Sequence, residues 1–332
     1  MRTTLAAPLP QTVGRMSQLR IFRKYLGRPY FLINRWIWNH LPVALTAWRP
    51  LHGYGRHLHR LVQVRASRRQ YVGTFFFRNR PELELLVRLQ NHKRPGSELK
   101  MAVLACSKGC EVYSASYALR CARPDLNIRI RALDIDRDVL EFAEEGVYSL
   151  GRPGTLTSPD PRLFETHKDV AGGTFRDQRD SIFERTAAEE MEALFDREGE
   201  VVKVKPQFRE GITWHLGNAG DPDLVDVLGT QDVVIANRFL CHMQPEQAEL
   251  CLRNLARLVK PSGYLFVSGV DLDVRSRVAC QLGLRPVTDL IREIHDGDPS
   301  LRRDWPFEYW GLEPLDQGRS DWKTRYAVVF QR

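Results

Sequence analysis

The sequence predicts an α/β fold, in which helices cover a mostly parallel sheet and a small, basic, mainly helical N-terminal region precedes it. From residue 101 to residue 270, short apolar runs alternate with amphipathic helical stretches, the pattern of such a sheet. Charge divides the chain similarly: of 49 Lys and Arg, 15 lie in residues 1–80, which hold no Asp or Glu, while 34 accompany all 41 acidic residues in 81–332. We therefore predict a basic region over residues 1–95 and an α/β domain over residues 96–332.

Composition limits the class of protein. At 332 residues and 43% hydrophobic, the chain can bury one full-sized core and a smaller appendage. The six cysteines have no compact spacing and the N-terminus lacks the order of a secretory signal, so we predict reduced thiols and a cytoplasmic protein. Cys106 and Cys110 have no second pair of matching spacing, which favours small buried residues over a zinc site, and we predict no metal.

The basic region contains an aromatic stretch, RPYFLINRWIWNHLPVALTAW, at residues 28–48. Arg35, Asn39 and Pro42 interrupt it too often for a transmembrane helix. Two interpretations stay open, an amphipathic segment resting in a membrane interface and the core helix of a small N-terminal domain.

The excess of positive charge in this region predicts an anionic partner. Acidic helices of another protein are one candidate. An anionic membrane surface, reached through residues 20–66 and giving peripheral attachment, is the other. The alternative is a solvated basic surface, and we expect no specific nucleic acid.

The secondary structure of the α/β domain follows from its apolar periodicity. The pattern predicts strands at residues 101–105, 128–136, 211–218, 232–239 and 261–270. It predicts helices at residues 111–122, 137–148, 183–195 and 245–259. Residues 151–181, rich in Gly, Pro and Asp, predict an insertion or long loop. Residues 305–315 and 322–332 predict a final antiparallel pair of strands.

Ligands of such sheets bind beyond the carboxyl ends of the strands, so the residues after each strand were the candidates for a site. Ser107 and Gly109 form a turn before a helix, where backbone N–H groups can approach a ligand. Asp134 ends the second strand and can accept hydrogen bonds from both ribose hydroxyls of an adenosine, whereas Asp136 suits the N-cap of the next helix. Asn218 and Asn237 follow the third and fourth strands, where amides can flank an adenine or a methionine moiety.

Six segments in this order resemble successive motifs of the chemoreceptor glutamate methyltransferases of the CheR type: GTFFFRNRPELELL, ACSKGCEVYSASYAL, ALDIDRDVLEFAEEGVYSL, AAEEMEALF, DVVIANRFLCHM and LARLVKPSGYLFVSGV. The resemblance runs from about residue 70 to residue 270. It implies a Rossmann-like class I methyltransferase sheet, mostly parallel with an antiparallel C-terminal hairpin. It also implies S-adenosylmethionine as methyl donor, and a receptor glutamate as acceptor, giving a methyl ester and S-adenosylhomocysteine.

The resemblance implies roles for single residues. Glu111 would bind the methionine ammonium, Asp134 the ribose and Asn218 the adenine side, while Arg78 would orient the acceptor. The implied cofactor-binding residues are Thr74, Arg78, Ala105, Ser107, Gly109, Glu111, Asp134, Asn218, Ala219, Asn237 and Arg238. The implied catalytic residues are Arg78 and His242.

Three departures from the family motifs leave the acceptor open. Cys110 replaces the first acid of a G-E-E turn, Asn237 and Arg238 invert an R-N pair, and His242 stands at a tyrosine position. A carboxylate acceptor needs no base, but a hydroxyl or amine must lose a proton, which a histidine can take. The alternatives are therefore a different acceptor or a binding and scaffold protein with a degenerate methyltransferase fold. His242 can also simply cap the helix that follows.

Two further groups of residues have more than one interpretation. The run Phe75–Phe77 is predicted to pack beneath the cofactor rather than to stack on bases. His295 and Asp296 form either a base with its orienting carboxylate or an ordinary helix end.

Overall fold

A computed structural model of the chain describes residues 27–41, 49–65, 73–150, 182–298, 305–307 and 309–332. The chain divides into two compact units, Met1–Val64 and Arg65–Arg332. The predicted insertion at residues 151–181 lies outside the described residues, and the predicted boundary at residue 95 remains a prediction.

The first unit contains helices α1 (Gly27–Asn39) and α2 (Arg49–Arg65). The ring of Trp38 in α1 lies 6.3 Å from the ring of Tyr54 in α2, centroid to centroid. None of the helices that the structure describes combines the length and apolar character that crossing a bilayer requires.

The described helices of the second unit are α3 Arg80–Arg88, α4 Cys110–Ala122, α5 Arg137–Glu145, α6 Ala188–Leu194, α7 Pro206–Arg209, α8 Leu224–Leu228, α9 Pro245–Leu258, α10 Leu272–Gln281, α11 Ile291–Asp296 and α12 Trp322–Tyr326. Its strands are β1 Glu98–Leu104, β2 Asn127–Asp134, β3 Val147–Ser149, β4 Phe195–Glu198, β5 Val201–Val204, β6 Ile212–Leu216, β7 Gln231–Ile235, β8 Val259–Phe266, β9 Arg285–Pro286 and β10 Val329–Gln331.

Seven of these strands form one sheet in the order β6-β2-β1-β7-β8-β10-β9. The first five are parallel, and β10 runs antiparallel to both β8 and β9. The chain leaves β1 for β2 on one side and returns to β7 on the other, so β1 and β7 flank the point where ligands bind in doubly wound sheets. The predicted α/β fold, mostly parallel with an antiparallel end, is confirmed.

Side chains of β1 show why both faces of this sheet are covered. Ala102 and Leu104 belong to the hydrophobic cluster that includes α9 and α10. Leu99, Met101 and Val103 belong to the cluster that includes α3 and α4. Alternate residues of a strand point to opposite faces, so the continuous apolar run supplies both layers of the core.

A second sheet, β3-β5-β4, is small and antiparallel. It carries an aromatic cluster in which Phe76 stacks on Phe183 at 5.3 Å and meets Tyr148 and Phe195 edge-on. Phe77 lies edge-on to Tyr117. Phe76 and Phe77 therefore pack mainly in the aromatic cluster of this small sheet; whether the run also lies beneath a cofactor stays a prediction.

Some predicted element bounds are wrong. The helix predicted at residues 137–148 ends at Glu145, because Gly146 adopts φ +62° and β3 follows. A Cβ at Gly146 would lie 2.9 Å from the Tyr113 hydroxyl oxygen, so only glycine fits this turn comfortably. The helix predicted at residues 183–195 begins at Ala188, because Phe183 packs in the aromatic cluster instead.

The two strands predicted for the C-terminal hairpin are wrong, but the predicted antiparallel end of the sheet is present. Residues 305–307 form a turn, residues 309–315 form no strand, and residues 322–326 form α12. Only β10 is a strand, and its antiparallel neighbours are β8 and β9. The aromatic residues of this segment are explained by burial and not by strand pairing. Tyr326, for example, is 3% exposed, and its hydroxyl donates a hydrogen bond to Glu313 Oε1 at 3.0 Å. Pro306 and Pro314 cannot donate to a strand ladder.

Candidate active site

The predicted site residues meet in one cavity, open at its mouth, at the carboxyl ends of β1, β2, β6 and β7. We call it the cofactor cavity. Its lining is Gly73, Thr74, Arg78, Ala105, Cys106, Ser107, Glu111, Leu133, Asp134, Ile135, Gly217, Asn218, Ala219, Asn237, Arg238, Phe239, His242 and Met243. Of the predicted site residues, only Gly109 is outside this lining. It is the N-cap of α4, with φ +79°, and a Cβ there would lie 3.1 Å from the Ala143 Cβ.

The turn between β1 and α4 brings backbone groups to the cavity. Ala105 and Ser107 adopt φ +51° and +49°, conformations that are costly for residues with a side chain. The Cys106 N–H donates to the Leu133 carbonyl oxygen at 3.0 Å, and the Ser107 N–H donates to Asp134 Oδ2 at 2.7 Å. These bonds tie the turn to the end of β2.

Asp134 is held by backbone donors on both oxygens. Oδ2 accepts from Ser107, and Oδ1 accepts from the Asp136 N–H at 3.0 Å. Burial raises the pKa of Asp134, and these backbone bonds oppose the rise. Since each carboxylate oxygen can accept more than one hydrogen bond, the fixed group can still receive two hydroxyls of a ribose. Asp136 caps α5 through bonds to the Asp138 and Val139 N–H groups, as predicted.

Glu111 lies in the first turn of α4 and is held by Asn237. Asn237 Nδ2 donates to Glu111 Oε1 at 2.8 Å and to Glu82 Oε1 at 2.6 Å. Asn237 Oδ1 accepts from both the N–H and the hydroxyl of Ser268, each at 2.9 Å. Burial raises the pKa of Glu111. A buried carboxylate of this kind is a suitable partner for a ligand ammonium group.

Two guanidinium groups converge on Phe75 beside the cofactor cavity. The Arg78 and Arg185 guanidinium carbons lie 5.3 and 4.5 Å from its ring centroid. Arg78 Nη2 donates to the Gly73 carbonyl oxygen at 3.0 Å. Burial, and after it the charge of Arg78, lowers the pKa of Arg185 to about 10. Positive charge is thus concentrated around Phe75, and Arg78 brings it to the wall of the cofactor cavity.

Arg238 and His242 line the cavity from the segment after β7. Arg238 Nη2 donates to Asp298 Oδ1 at 2.7 Å, in an ion pair whose two side chains are 8% and 10% exposed. The His242 ring lies edge-on to Trp310, with centroids 6.0 Å apart. His242 is therefore placed at the cavity, as the alternative acceptor chemistry requires.

Asn218 and Ala219 follow β6 on the cavity wall. Asn218 Oδ1 accepts from the Gly220 N–H at 2.9 Å, which fixes the loop. Ala219 is buried, and its carbonyl oxygen accepts from Cys251 Sγ at 3.5 Å.

A second cavity, the inner cavity, is narrow and shares Arg78, Glu111 and Asn237 with the first. Glu82 and His295 line the inner cavity and not the cofactor cavity. His295 Nε2 lies 2.8 Å from the Glu313 carbonyl oxygen, whereas its Nδ1 is 3.4 Å from Asp296. The helix-end interpretation of His295 therefore fits better. Within the described ranges, no three His, Cys, Asp or Glu side chains are grouped to hold a metal ion.

Sequence reasoning missed Glu82, Arg185 and Asp298. Glu82 stands in the quoted GTFFFRNRPELELL segment, at a helix start where Asn79 accepts from its N–H at 3.3 Å. A glutamate in a first helical turn is usually a solvated capping residue. Its bond to Asn237 spans 155 positions, and no local pattern predicts that contact.

Both halves of the cofactor cavity match family models of methyltransferases. Residues 73–169 match the model described as the CheR methyltransferase SAM-binding domain, which includes the walls from Thr74 to Asp134. Residues 186–267 match a model described as a methyltransferase domain, which includes the walls from Asn218 to His242.

Two curated proteins are similar to this chain. A probable biofilm formation methyltransferase, WspC, from Pseudomonas aeruginosa is 28% identical over 220 residues, which are 64% of this chain and 44% of that protein. The chemotaxis protein methyltransferase 2 of Vibrio cholerae serotype O1 is 25% identical over 202 residues, or 58% of this chain and 60% of that protein. The chain thus matches about half the length of these relatives.

Solved structures are similar only remotely. The magnesium protoporphyrin IX methyltransferase of Synechocystis PCC 6803, solved with bound SAM, is 14% identical, with 82% of this chain and 86% of that chain covered and a TM-score of 0.32.

Proposed function

We propose that this chain, a CheR-type family member, is an S-adenosylmethionine-dependent methyltransferase whose acceptor is the carboxylate of a glutamate on an acidic receptor helix. The observation that carries the choice of acceptor is Arg78, which lines the cofactor cavity and lies beside the Phe75 ring, as Arg185 does. A guanidinium group on the cavity wall, with a second one beside the same ring, favours an anionic acceptor over a neutral one.

The residues fit the cofactor at both ends. Asp134, fixed by the Ser107 and Asp136 N–H groups, accepts the ribose hydroxyls. Glu111, held by Asn237, pairs with the ammonium of the methionine moiety. When bound, S-adenosylmethionine would supply a methyl group carried on a positive sulfur, already activated for transfer to an acceptor oxygen.

The chain supplies alignment rather than base catalysis in this proposal. A glutamate carboxylate is already ionised at neutral pH, so no proton has to be removed. Arg78 can bind both carboxylate oxygens and hold one of them toward the methyl group, a gain in orientation that is worth several kcal/mol in enzymes. The name of the Vibrio relative, a chemotaxis protein methyltransferase, supports a chemoreceptor as the source of that glutamate.

Transfer of labelled methyl groups to acidic receptor-helix peptides tests the proposal. We expect a product that mild alkali hydrolyses, as methyl esters are and methyl ethers and amines are not. Arg78→Ala should lower transfer by ~100-fold, the effect of losing one charge-assisted contact made at the reacting group. S-adenosylhomocysteine binding should persist in that variant. Arg88→Ala, an exposed arginine paired with Glu84, is the matched control and should behave as the unaltered chain.

A second acceptor class is favoured by one observation, the position of His242 on the cavity wall. If a hydroxyl or amine is the true acceptor, the product resists alkali and His242→Asn abolishes transfer. If glutamate is the acceptor, His242→Asn keeps most of the transfer. A folded chain that fails to bind S-adenosylhomocysteine at millimolar concentration would instead be a scaffold with a degenerate site.

We also propose that the first unit docks on an anionic membrane surface. Leu32, Ile33 and Trp36 of α1 are 61%, 58% and 63% exposed, and Trp36 lies one turn after Leu32 and Ile33. Residues 1–80, which hold 15 Lys and Arg and no acidic residue, surround this apolar face in sequence. An exposed apolar face within a basic region matches the interface of anionic lipids. The cytoplasmic location remains a prediction.

Sedimentation of the full chain with vesicles tests this docking. We expect pelleting with phosphatidylserine-containing vesicles, weakened by salt, and little with neutral vesicles. The triple variant Leu32→Ser, Ile33→Ser, Trp36→Ser should lose pelleting. Its control, Val227→Ser with Leu250→Ser, changes equally exposed apolar residues of the second unit and should pellet normally. Equal pelleting of both variants would contradict membrane docking through α1.

A further inference from the structure

We propose that Glu82 is a proton-coupled positioning residue, which holds a proton in the free protein and releases it to solvent when the cationic cofactor binds beside Glu111. This inference rests on the proposed binding of S-adenosylmethionine in the cofactor cavity. It concerns Glu82, which does not line that cavity and to which the family resemblance assigns no role.

The geometry places Glu82 directly behind the cofactor cavity. Both hydrogens of the Asn237 amide are used, one on Glu82 Oε1 at 2.6 Å and one on Glu111 Oε1 at 2.8 Å. The amide oxygen is fixed by two donors of Ser268, so the amide cannot turn over without losing these bonds. The buried Glu82 carboxyl and the carboxyl of the half-buried Glu111 are therefore joined through a single rigid amide.

The charges around Glu82 favour its protonated form. Burial, and next the Glu111 carboxyl, raises the pKa of Glu82 to about 8, and Asp298 acts in the same direction. The Asn237 bond and the Arg238 charge act against the rise. The remaining charged or titratable groups that line the inner cavity with Glu82 are Arg78, Arg275, His295, Glu313 and Tyr326. Burial and the Glu111 charge therefore favour a protonated Glu82 at neutral pH.

Binding of the cofactor changes this balance. An ammonium group placed at Glu111 neutralises the carboxylate that opposes ionisation of Glu82, and the sulfonium adds further positive charge. The Glu82 carboxyl then dissociates to a carboxylate, and its proton passes through the inner cavity to solvent. Glu82 in its charged form accepts more strongly from Asn237, which tightens the support of Glu111 in the bound state.

Calorimetric binding of S-adenosylmethionine in buffers of different ionisation enthalpy measures this proton. At a pH of about 7 we expect the unaltered chain to release close to one more proton per bound cofactor than Glu82→Gln does. As the pH increases toward about 8, the affinity of the unaltered chain for S-adenosylmethionine should increase by up to ~10-fold per pH unit. The affinity of Glu82→Gln should depend less on pH. Glu84→Gln removes the same charge from an exposed position of α3 and should match the unaltered chain.

Infrared spectroscopy of the free protein tests the protonation of Glu82 directly, even if Glu82→Gln weakens the fold. The infrared band of a protonated carboxyl group should be present at neutral pH in the unaltered chain and in Glu84→Gln, titrate near a pH of about 8, and be missing in Glu82→Gln. Absence of that band, or equal proton release in the unaltered chain and Glu82→Gln, would overturn the inference alone. No binding of the cofactor by the unaltered chain would overturn the proposed function and this inference with it.

Discussion

The side-chain amide of Asn237 donates to Glu111 at 2.8 Å, and this bond links the carboxyl end of β7 to the first turn of α4. Because the same amide donates to Glu82, both of its hydrogens serve carboxyl groups of the protein. Asn237 lines the cofactor cavity, but its main structural effect is to place the carboxylate that we expect to meet the ammonium group. Its own contact with the cofactor remains a prediction.

Replacing this amide by a carboxyl group tests its role as a support. Asn237→Asp places a third acid between Glu82 and Glu111 and removes both donors, so we expect a loss of about 2–4 kcal/mol in the free energy of unfolding. The loss should grow as pH rises, since the new acid must ionise. Urea unfolding at several pH values measures it, with the exposed Asn91→Asp as control. A stability equal to that of the control would contradict this role.

Asp134 is expected to carry the ribose contact. Asp134→Asn turns one acceptor oxygen into a donor that faces the Ser107 or Asp136 N–H, and it removes the charge that strengthens bonds to hydroxyls. Affinity for S-adenosylhomocysteine should fall by ~10–100-fold, the loss of about 1.5–3 kcal/mol. Calorimetry measures it, and Asp226→Asn on exposed α8 should bind normally. A decrease of less than ~3-fold would show that the ribose lies elsewhere.

The raised pKa of Glu82 predicts how stability changes with pH. A carboxyl group whose pKa rises from 4.5 in the unfolded chain to about 8 in the folded one binds its proton more tightly when folded. The contribution of Glu82 to the free energy of unfolding is therefore complete below a pH of about 4.5. It is lost as the pH rises to about 8, at about 1.4 kcal/mol per pH unit.

Urea unfolding of the unaltered chain and of Glu82→Gln across this pH range measures the contribution. The variant should lose less stability with rising pH, by a few kcal/mol over the whole range. Parallel curves for the two proteins would mean that Glu82 titrates as an ordinary glutamate.

Two glycines with nearly the same φ angle allow the cost of backbone strain to be separated from the cost of a steric clash. Gly146 and Gly199 adopt φ +62° and +61°, but a Cβ at Gly146 would meet Tyr113, whereas nothing lies within 4 Å at Gly199. Gly199→Ala should cost about 1 kcal/mol through backbone strain alone, and Gly146→Ala about 1–3 kcal/mol more. Chemical unfolding measures both losses. Equal losses of unfolding free energy in the two variants would show that the Tyr113 side chain moves aside at no cost.

Much of the fold and of the cofactor cavity could be predicted from local pattern. The apolar run of β1 and the turn around Ser107 follow from periodicity and from the place of turns in doubly wound sheets. Asp134 was found because a carboxylate at the end of β2 has an obvious chemical use. These features depend on neighbours in sequence, and that is why the sequence alone predicts them.

The features that were missed depend on contacts between distant segments. Glu82 resembles a capping residue until Asn237 is brought to it across 155 positions. The aromatic C-terminal segment has strand composition, but burial of Tyr326 and its bond to Glu313 use those side chains in a helix and a loop. The small sheet β3-β5-β4 has strands of three and four residues, too short for a periodic signal.

A crystal structure with S-adenosylhomocysteine tests the central claim most directly. The account predicts the ribose hydroxyls within hydrogen-bonding distance of Asp134, and the ammonium group within that distance of Glu111 while Asn237 still holds this carboxylate. A nucleoside bound outside the cofactor cavity, or bound there with both carboxylates turned away from it, would contradict the account.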